Sequence, residues 1–377
     1  LEGAPLFLLE YATHLVRAAG FSVQVLSCED GPLHRNYREL GATVTFVDRH
    51  RLFAAASPAE FASRLGEVAA TLDFSGIDLV VSNTLVGYWG VHLARLAGRP
   101  SLLYIHESTS VFRFFEHALA LPMHRLVEEA LATATRTVFL CEATRRYYVD
   151  VLGAANDRIL PGWIEVEAIR RFRREHDRAA LRRKHGFAPD DVVIANIGTV
   201  CERKGQHTFI RAVDTFRRLP SDGRRHRFVL VGGRAGVYLD LLVSDIARLG
   251  LGDLIEIVPE TREVYEFFVL ADLFVCSSFE ESFPRVVLEA MAFGTPIVST
   301  DVHGIPEMVK NRAEAWLVAP GDPTAMAQAM RTCLDKEHSG KSFAPTALSK
   351  VVRYYDAGVL LPRHVELARE AVLCAEA

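Results

Sequence analysis

The chain has 377 residues, 50% of them hydrophobic and 24% charged, which excludes intrinsic disorder and fibrous repeats. Its 43 Lys plus Arg against 47 Asp plus Glu leave a net charge of −4, against a protein that grips nucleic acid over a wide surface. At roughly 100–200 residues per domain, the length predicts two domains. The six cysteines (Cys28, Cys141, Cys201, Cys276, Cys333, Cys374) are far apart and form no C-x-x-C pair, so they read as thiols of a reducing compartment and not as a disulfide framework or zinc site. No stretch approaches the roughly 18 uninterrupted apolar residues of a membrane helix, and no basic region followed by an apolar run opens the chain. A cytoplasmic, two-domain protein is expected.

In chain order, the opening is the loop Glu2-Gly3-Ala4-Pro5 followed at once by a helix. A doubly wound domain ordinarily opens with a strand, so a first strand is expected to be missing, through truncation, disorder or supply from another segment; the alternative is a sheet that lacks it. Short apolar runs follow at Phe21 to Ser27, Ala42 to Asp48, Ile77 to Asn83, Ser101 to His106 and Thr137 to Cys141. Each suits a strand buried on both faces. Helical patterns lie between them at Pro58 to Leu72 and Leu121 to Ala134. A polar, arginine-rich stretch, Arg170 to Phe187, separates this half from the next, and the domain boundary is placed within Pro161 to Glu167. The strand pattern then restarts at Val192 to Gly198, Arg227 to Gly233, Leu254 to Val258, Leu273 to Ser277 and Pro296 to Thr300. The end, from Thr346 to Ala377, reads as helical. Alternation of this kind predicts βαβ units and parallel sheets. The expected domains are residues 1–163, 164–345 and a helical segment 346–377 that packs back on the first.

Chemistry concentrates between Ser277 and Val309. A strand ends at Cys276, Ser282 reads as a helix N-cap, Pro284 suits the first turn, and Gly294 ends the helix. The start of a helix just beyond a parallel strand attracts anions, because unpaired N–H groups and the helix dipole point at the ligand. Glu281 stands before this helix and Glu289 inside it. The axial rise from Pro284 to Glu289 is about 7.5 Å, so one carboxylate stands at the helix mouth and the other deeper. A nucleotide-sugar suits this arrangement: its diphosphate faces the amides, and each carboxylate accepts from hydroxyls of the sugar or ribose. The plainer reading is a capped helix with two solvated carboxylates.

Glu281-x7-Glu289, with Ala290 to Pro296 and Gly304 to Glu307, resembles the signature of the family-4 retaining glycosyltransferases. Ala271-Asp272 and Pro320-Gly321-Asp322 extend the likeness over most of the second half. The resemblance implies an α/β protein of the GT-B fold, with two Rossmann-like doubly wound parallel-sheet domains facing a central cleft. It implies that Glu281 binds hydroxyls of the donor sugar and Glu289 the ribose. It further implies a diphosphate held by Lys204 and by the helix amides near Phe283 to Arg285, with Ser282, Phe283, Pro284 and Arg285 as the donor-binding residues of this turn. The stretch Gly198 to Gln206 resembles the family's Gly-Arg…Lys-Gly segment, with Thr199 in the place where many members carry Arg and Arg203 as a substitute cation; alone, Arg203-Lys204-Gly205 is a common surface turn. His106, closing a strand, resembles the family histidine that approaches the donor sugar, although a lone His is often structural. Gly3 and Ala4 resemble a small-residue loop near the phosphates. Asn83, Thr84 and Glu107 are candidate acceptor contacts, and Val81 to Thr84 would equally serve as a polar helix cap. Gly232-Gly233 marks a tight turn.

The function so implied is transfer of a sugar, with retention, from a nucleotide-sugar to a hydroxyl of a glycan or lipid-linked acceptor. His106, Glu281 and Lys204 are the catalytic candidates. No cofactor and no metal are expected, and a UDP- or GDP-sugar is the expected cosubstrate. Two other classes remain: a nucleotide-sugar epimerase on the same fold, and a non-catalytic nucleotide-sugar-binding subunit, which Thr199 would suit. Arg170 to Lys184 could touch anionic lipid at the inner face of a membrane, but its acidic interruptions favour a solvated helix. The phrase Ile105 to Ser108 resembles transferases of bacterial surface polysaccharide assembly.

Overall fold

A computed structural model describes residues 3–153, 156–335 and 343–376. They divide into two units, residues 1–162 with 360–377 and residues 163–359. All the strand pairings described here are parallel.

In the first unit β1 (Gln24–Ser27) pairs with β2 (Thr43–Phe46), while β3 (Val80–Asn83), β4 (Ser101–Ile105), β5 (Arg136–Phe139) and β6 (Asp157–Ile159) form a second sheet in that order. Among the described residues β1 and β3 share no ladder, so the strands of this half fall into two parallel sheets. Every residue of β4 is buried, flanked by a strand on each side, which is why its run is apolar without alternation. Leu103, Ile105 and Phe139 pack with Tyr88, Leu93, Phe115 and Val127 of the covering helices. No apolar run announced β6, because Asp157-Arg158-Ile159 is short, polar and at the sheet edge.

The expected opening loop is also corrected. Gly3, Ala4 and Pro5 are the first turn of helix Gly3–Arg17, while Glu2 lies outside the described residues. A proline within the first turn leaves no helical hydrogen bond unmade, since the N–H it lacks has no intrahelical acceptor there.

The second unit carries β7 (Val192–Ile197), β8 (His226–Gly233), β9 (Ile255–Pro259), β10 (Leu273–Cys276), β11 (Ile297–Thr300) and β12 (Trp316–Val318), ordered β12-β11-β10-β7-β8-β9. The chain winds outward from β7 through β9, then returns to β10 on the other side of β7. That reversal opens a crevice at the carboxyl ends of β7 and β10, the place where open α/β sheets bind ligands. The polar stretch before β7 folds as helices Val166–Glu175 and Arg178–Lys184. Several of its cations are engaged within the unit: Arg173 donates to the Phe293 carbonyl, Arg174 pairs with Glu167, and Arg178 and Arg182 with Asp272.

The chain passes between units after Gly162 and again after Val359. The terminal helical segment is therefore divided: helix Ala344–Tyr354 stays with the second unit, and helix Ala357–Glu376 joins the first from Leu360 onward. Both passages are tied down. In the second unit Ile164 donates to the Tyr355 carbonyl and accepts from Ala357, and the Asp356 carboxylate accepts from the Val166 amide. In the first, His364 meets the Pro161 carbonyl through Nε2 (3.0 Å) and the Tyr104 hydroxyl through Nδ1 (3.0 Å), and the Tyr11 hydroxyl donates to the His364 carbonyl.

Candidate functional site

Two groups of the expected residues assemble, one in each unit. In the second, the loops after β7 and β10 meet at the crevice. Asn196, buried in an otherwise apolar β7, donates to the Val275 carbonyl and the Ser277 hydroxyl. Ser277 donates to the Lys204 carbonyl, and the Phe279 amide to the Arg203 carbonyl. Gly205 closes the turn at φ +64°, and a Cβ there would lie 2.2 Å from the Ser277 carbonyl oxygen; only glycine allows this approach. Gly232 meets Gly198 in the same way, at φ +115° with 2.3 Å between a Cβ and the Gly198 carbonyl oxygen.

These ties carry the Lys204 ammonium onto the Glu281 carboxylate, which is only 5% exposed. Ser278 donates to the same carboxylate oxygen at 2.7 Å, and the Arg203 guanidinium lies 3.8 Å from the other. Burial alone would raise the Glu281 carboxyl; the neighbouring Lys204 and Arg203 cations outweigh it and hold the group below its ordinary range. Two cations against one carboxylate, at the mouth of helix Arg285–Phe293, leave a positive surplus suited to an anionic ligand. Asn196, Gly198, Lys204, Gln206, Ser278 and Glu281 line a small cavity at this point.

The cap of that helix differs from expectation. Pro284 is the N-cap, not Ser282, and no side chain caps the turn. Pro284 has an extended ψ of 114°, and the residue before a proline is disfavoured from helical geometry, so Arg285 is the first helical residue. Pro284 has no N–H, so the amides this turn can present are those of Phe283, Arg285 and Val286. Ser282 and Pro284 are buried, and the Phe283 ring meets Tyr355. Glu289 is buried within the helix, with the Arg285 Nε 3.1 Å from its carboxylate. Thr199 is half-buried beside Gly198, and its carbonyl accepts from Gln206.

Two other phrases of the family likeness act on the scaffold. The Asp272 carboxylate receives Arg178, Arg182 and the Val193 amide at the opposite, amino end of β10. Asp322 caps helix Pro323–Leu334, and Gly321, at φ +72°, passes the Phe279 ring.

In the first unit, His106, Asn83 and Ala4 form a chain. Asn83 donates through Nδ2 to the Ala4 carbonyl (3.0 Å), so its Oδ1 faces His106 Nε2 (2.8 Å). This places the imidazole proton on Nε2 and a lone pair on Nδ1. Burial pushes the His106 pKa down to about 4, so the ring is neutral at neutral pH. Gly3 lies in the same helical turn as Ala4. The Glu107 carboxylate accepts from the amides of Leu85 and His106. Thr84, the residue before Leu85, has φ +69°, a conformation rare for a β-branched residue.

Residues that the sequence did not single out complete the second-unit group. Asn196 was detectable as a polar residue inside an apolar strand, which demands a partner. Ser278 and His303 carried no local signal, whereas Gln206 closes the Gly198 to Gln206 stretch. Among the described residues no group of three or more His, Cys, Asp or Glu side chains could hold a metal ion, and no helix is long and apolar enough to cross a membrane.

Residues 177–349 match the family described as glycosyl transferases group 1, and residues 2–164 match Glycosyltransferase Family 4. A D-inositol 3-phosphate glycosyltransferase of Nocardia farcinica is 32% identical over 215 residues, 55% of this chain and 46% of that one. The enzyme of the same name from Frankia alni is 28% identical over 71% of this chain and 69% of its own. The chain thus spans about half the length of the first of these relatives. Among solved structures, Anabaena HepE in complex with UDP-glucose superposes with a TM-score of 0.80 at 20% identity, covering 98% of this chain and 96% of that one. Sucrose-phosphate synthase from Thermosynechococcus elongatus gives 0.78 at 19% identity, covering 100% and 94%.

Proposed function

Since the chain belongs to the family-4 glycosyltransferases of the GT-B fold, we propose that it transfers a sugar from a nucleotide-sugar donor to a hydroxyl of a glycan or lipid-linked acceptor, with retention of configuration and without a metal ion. The observation that carries this reading is the buried Glu281 carboxylate, held by Lys204 and Ser278 beside the start of helix Arg285–Phe293. The cationic surplus of Lys204 and Arg203, with the amides of the first turn, takes the donor diphosphate. Both stabilise the negative charge that gathers on the departing nucleotide. Glu281 accepts from sugar hydroxyls and Glu289 from the ribose. His106, neutral and with its proton on Nε2, offers Nδ1 to a sugar hydroxyl. The leaving phosphate oxygen takes the acceptor proton on the face from which it departs. The bond from the anomeric carbon to phosphate breaks as the bond to the acceptor oxygen forms, so atoms and charge balance without a protein nucleophile. A UDP-sugar is the first donor to test, because the HepE structure holds UDP-glucose. Inositol 3-phosphate belongs in the acceptor panel, given the relatives' names.

The test is a thermal-shift screen against UDP-, GDP-, dTDP- and ADP-sugars, followed by hydrolysis and transfer assays on each hit. Ligand at 100 times its Kd stabilises the folded state by about 2.7 kcal/mol. The expected result is a selective shift, weakened in Glu289→Ala, with turnover that needs an acceptor. Conversion of the donor sugar without an acceptor would instead establish an epimerase. Binding without any turnover would establish a non-catalytic subunit.

A further inference from the structure

Among the described residues three other than glycine have a positive φ: Thr84, His303 and Arg312. His303 lies in the turn after β11, at φ +41°. The next residue, Gly304, has φ −79°, a conformation open to any residue. The turn therefore places its glycine where none is needed and a residue with a Cβ where glycine would be more comfortable. Such a backbone is strained and persists when its surroundings hold it.

The side chain accounts for the choice. His303 Nδ1 lies 3.3 Å from the Glu281 amide, which donates to it, and the Gly304 amide donates to the Glu281 carbonyl at 3.2 Å. Residues 303 and 304 thus hold both backbone polar groups of Glu281, while Lys204 and Ser278 hold its carboxylate. To accept at Nδ1, the imidazole must be neutral and carry its proton on Nε2. Glycine at this position would relax the turn and forfeit the acceptor.

We propose that His303 is a positioning residue for donor-sugar transfer: through its Nδ1 it fixes the Glu281 backbone, so that the carboxylate keeps its place against Lys204 and Ser278. The inference rests on the functional reading above and names a further residue of that site. One hydrogen bond of ordinary strength, lost from the transition state, corresponds to roughly tenfold in rate.

Three variants separate positioning from structure. His303→Gly suits the positive φ and lacks the acceptor. His303→Asn tolerates the same backbone and offers Oδ1 near the place of Nδ1. His303→Ala has neither advantage. Hydrolysis of whichever of the four nucleotide-sugars the wild-type chain turns over is followed with melting midpoints. We expect His303→Gly to melt at or above the wild-type midpoint, yet to lose roughly tenfold in kcat with little change in KM. His303→Asn should recover most of that loss, and His303→Ala should lose both stability and kcat. Nitrogen-15 labelling of the histidine rings should show His303 as the Nε2–H tautomer at neutral pH. Wild-type kcat in His303→Gly, no recovery in His303→Asn, or a proton on Nδ1 would each overturn the inference while leaving the functional reading intact. A wild-type chain that turns over none of the donors would remove that reading, and this inference with it.

Discussion

At the scale of single residues, the second-unit site is organised around one buried charge. Glu281 is tolerable at 5% exposure because Lys204, Ser278 and Arg203 surround its carboxylate. Removing one partner of such a pair leaves an uncompensated charge in a poorly solvated place, whereas removing both charges does not. Lys204→Met should therefore destabilise the chain by about 3 kcal/mol, and Lys204→Met with Glu281→Gln should recover most of it. Denaturant midpoints measure this, and strictly additive effects would contradict the coupling. Activity should not follow stability: Glu281→Gln alone is expected to lower turnover by roughly 100-fold, and the double variant should stay inactive. The Glu281-x7-Glu289 spacing made both carboxylates legible in the sequence. Ser278 and His303 were not: Ser278 lies three residues before Glu281 in a loop with no periodic pattern, and His303 reaches Glu281 only once β10 and β11 lie side by side.

Elements place these residues, and their extents follow local chemistry. All ten apolar runs became strands, while β6 and β12 (Trp316–Val318) did not stand out as edge strands of three residues. The helix after β10 was foreseen, but its cap moved from Ser282 to Pro284 because proline geometry overrode a favourable capping residue. The final helix shows an element doing more than its pattern announced. His364 is fully buried among Tyr11, Tyr104 and Pro161, and burial pushes its pKa down to about 3. A histidine kept neutral in the folded chain binds its proton only after unfolding, so stability rises with pH between the folded value and about 6.5. As pH falls from about 6.5 toward 3, this residue withdraws stability at up to about 1.4 kcal/mol per pH unit. His106, pushed to about 4, acts with the same sign. In denaturant titrations from pH 7 to pH 4, His364→Gln should be less stable at neutral pH and show a shallower decline. An unchanged slope would refute the assignment.

For the whole molecule, two units with separate cores predict separable unfolding. Calorimetry should resolve two transitions, and a nucleotide-sugar that gives a shift in the donor screen should raise one of them. Trp89 reports on the first unit, and Trp163 and Trp316 on the second. Replacing Trp89 by Phe should leave the ligand-sensitive fluorescence transition in place. A single transition, raised as a whole by that ligand, would show that the units unfold together.

The sequence by itself determined the strand-rich α/β pattern and carries the Glu281–Glu289 and Arg203–Lys204 motifs, because each is written in local order: runs of apolar residues and fixed spacings along one strand-loop-helix. Tertiary structure alone decided the strand order that sets β7 beside β10, and hence the meeting of Lys204 with Glu281 across 77 positions of chain. It also decided that Gly3 to Pro5 form a helical turn, that the strands of the first unit fall into two sheets, and that residues from Leu360 onward return to the first unit. Hydrogen bonds between residues distant in sequence, such as His364 to Pro161 or His303 to Glu281, leave no periodic trace in the chain. They exist only once buried polar groups must find partners in a packed interior.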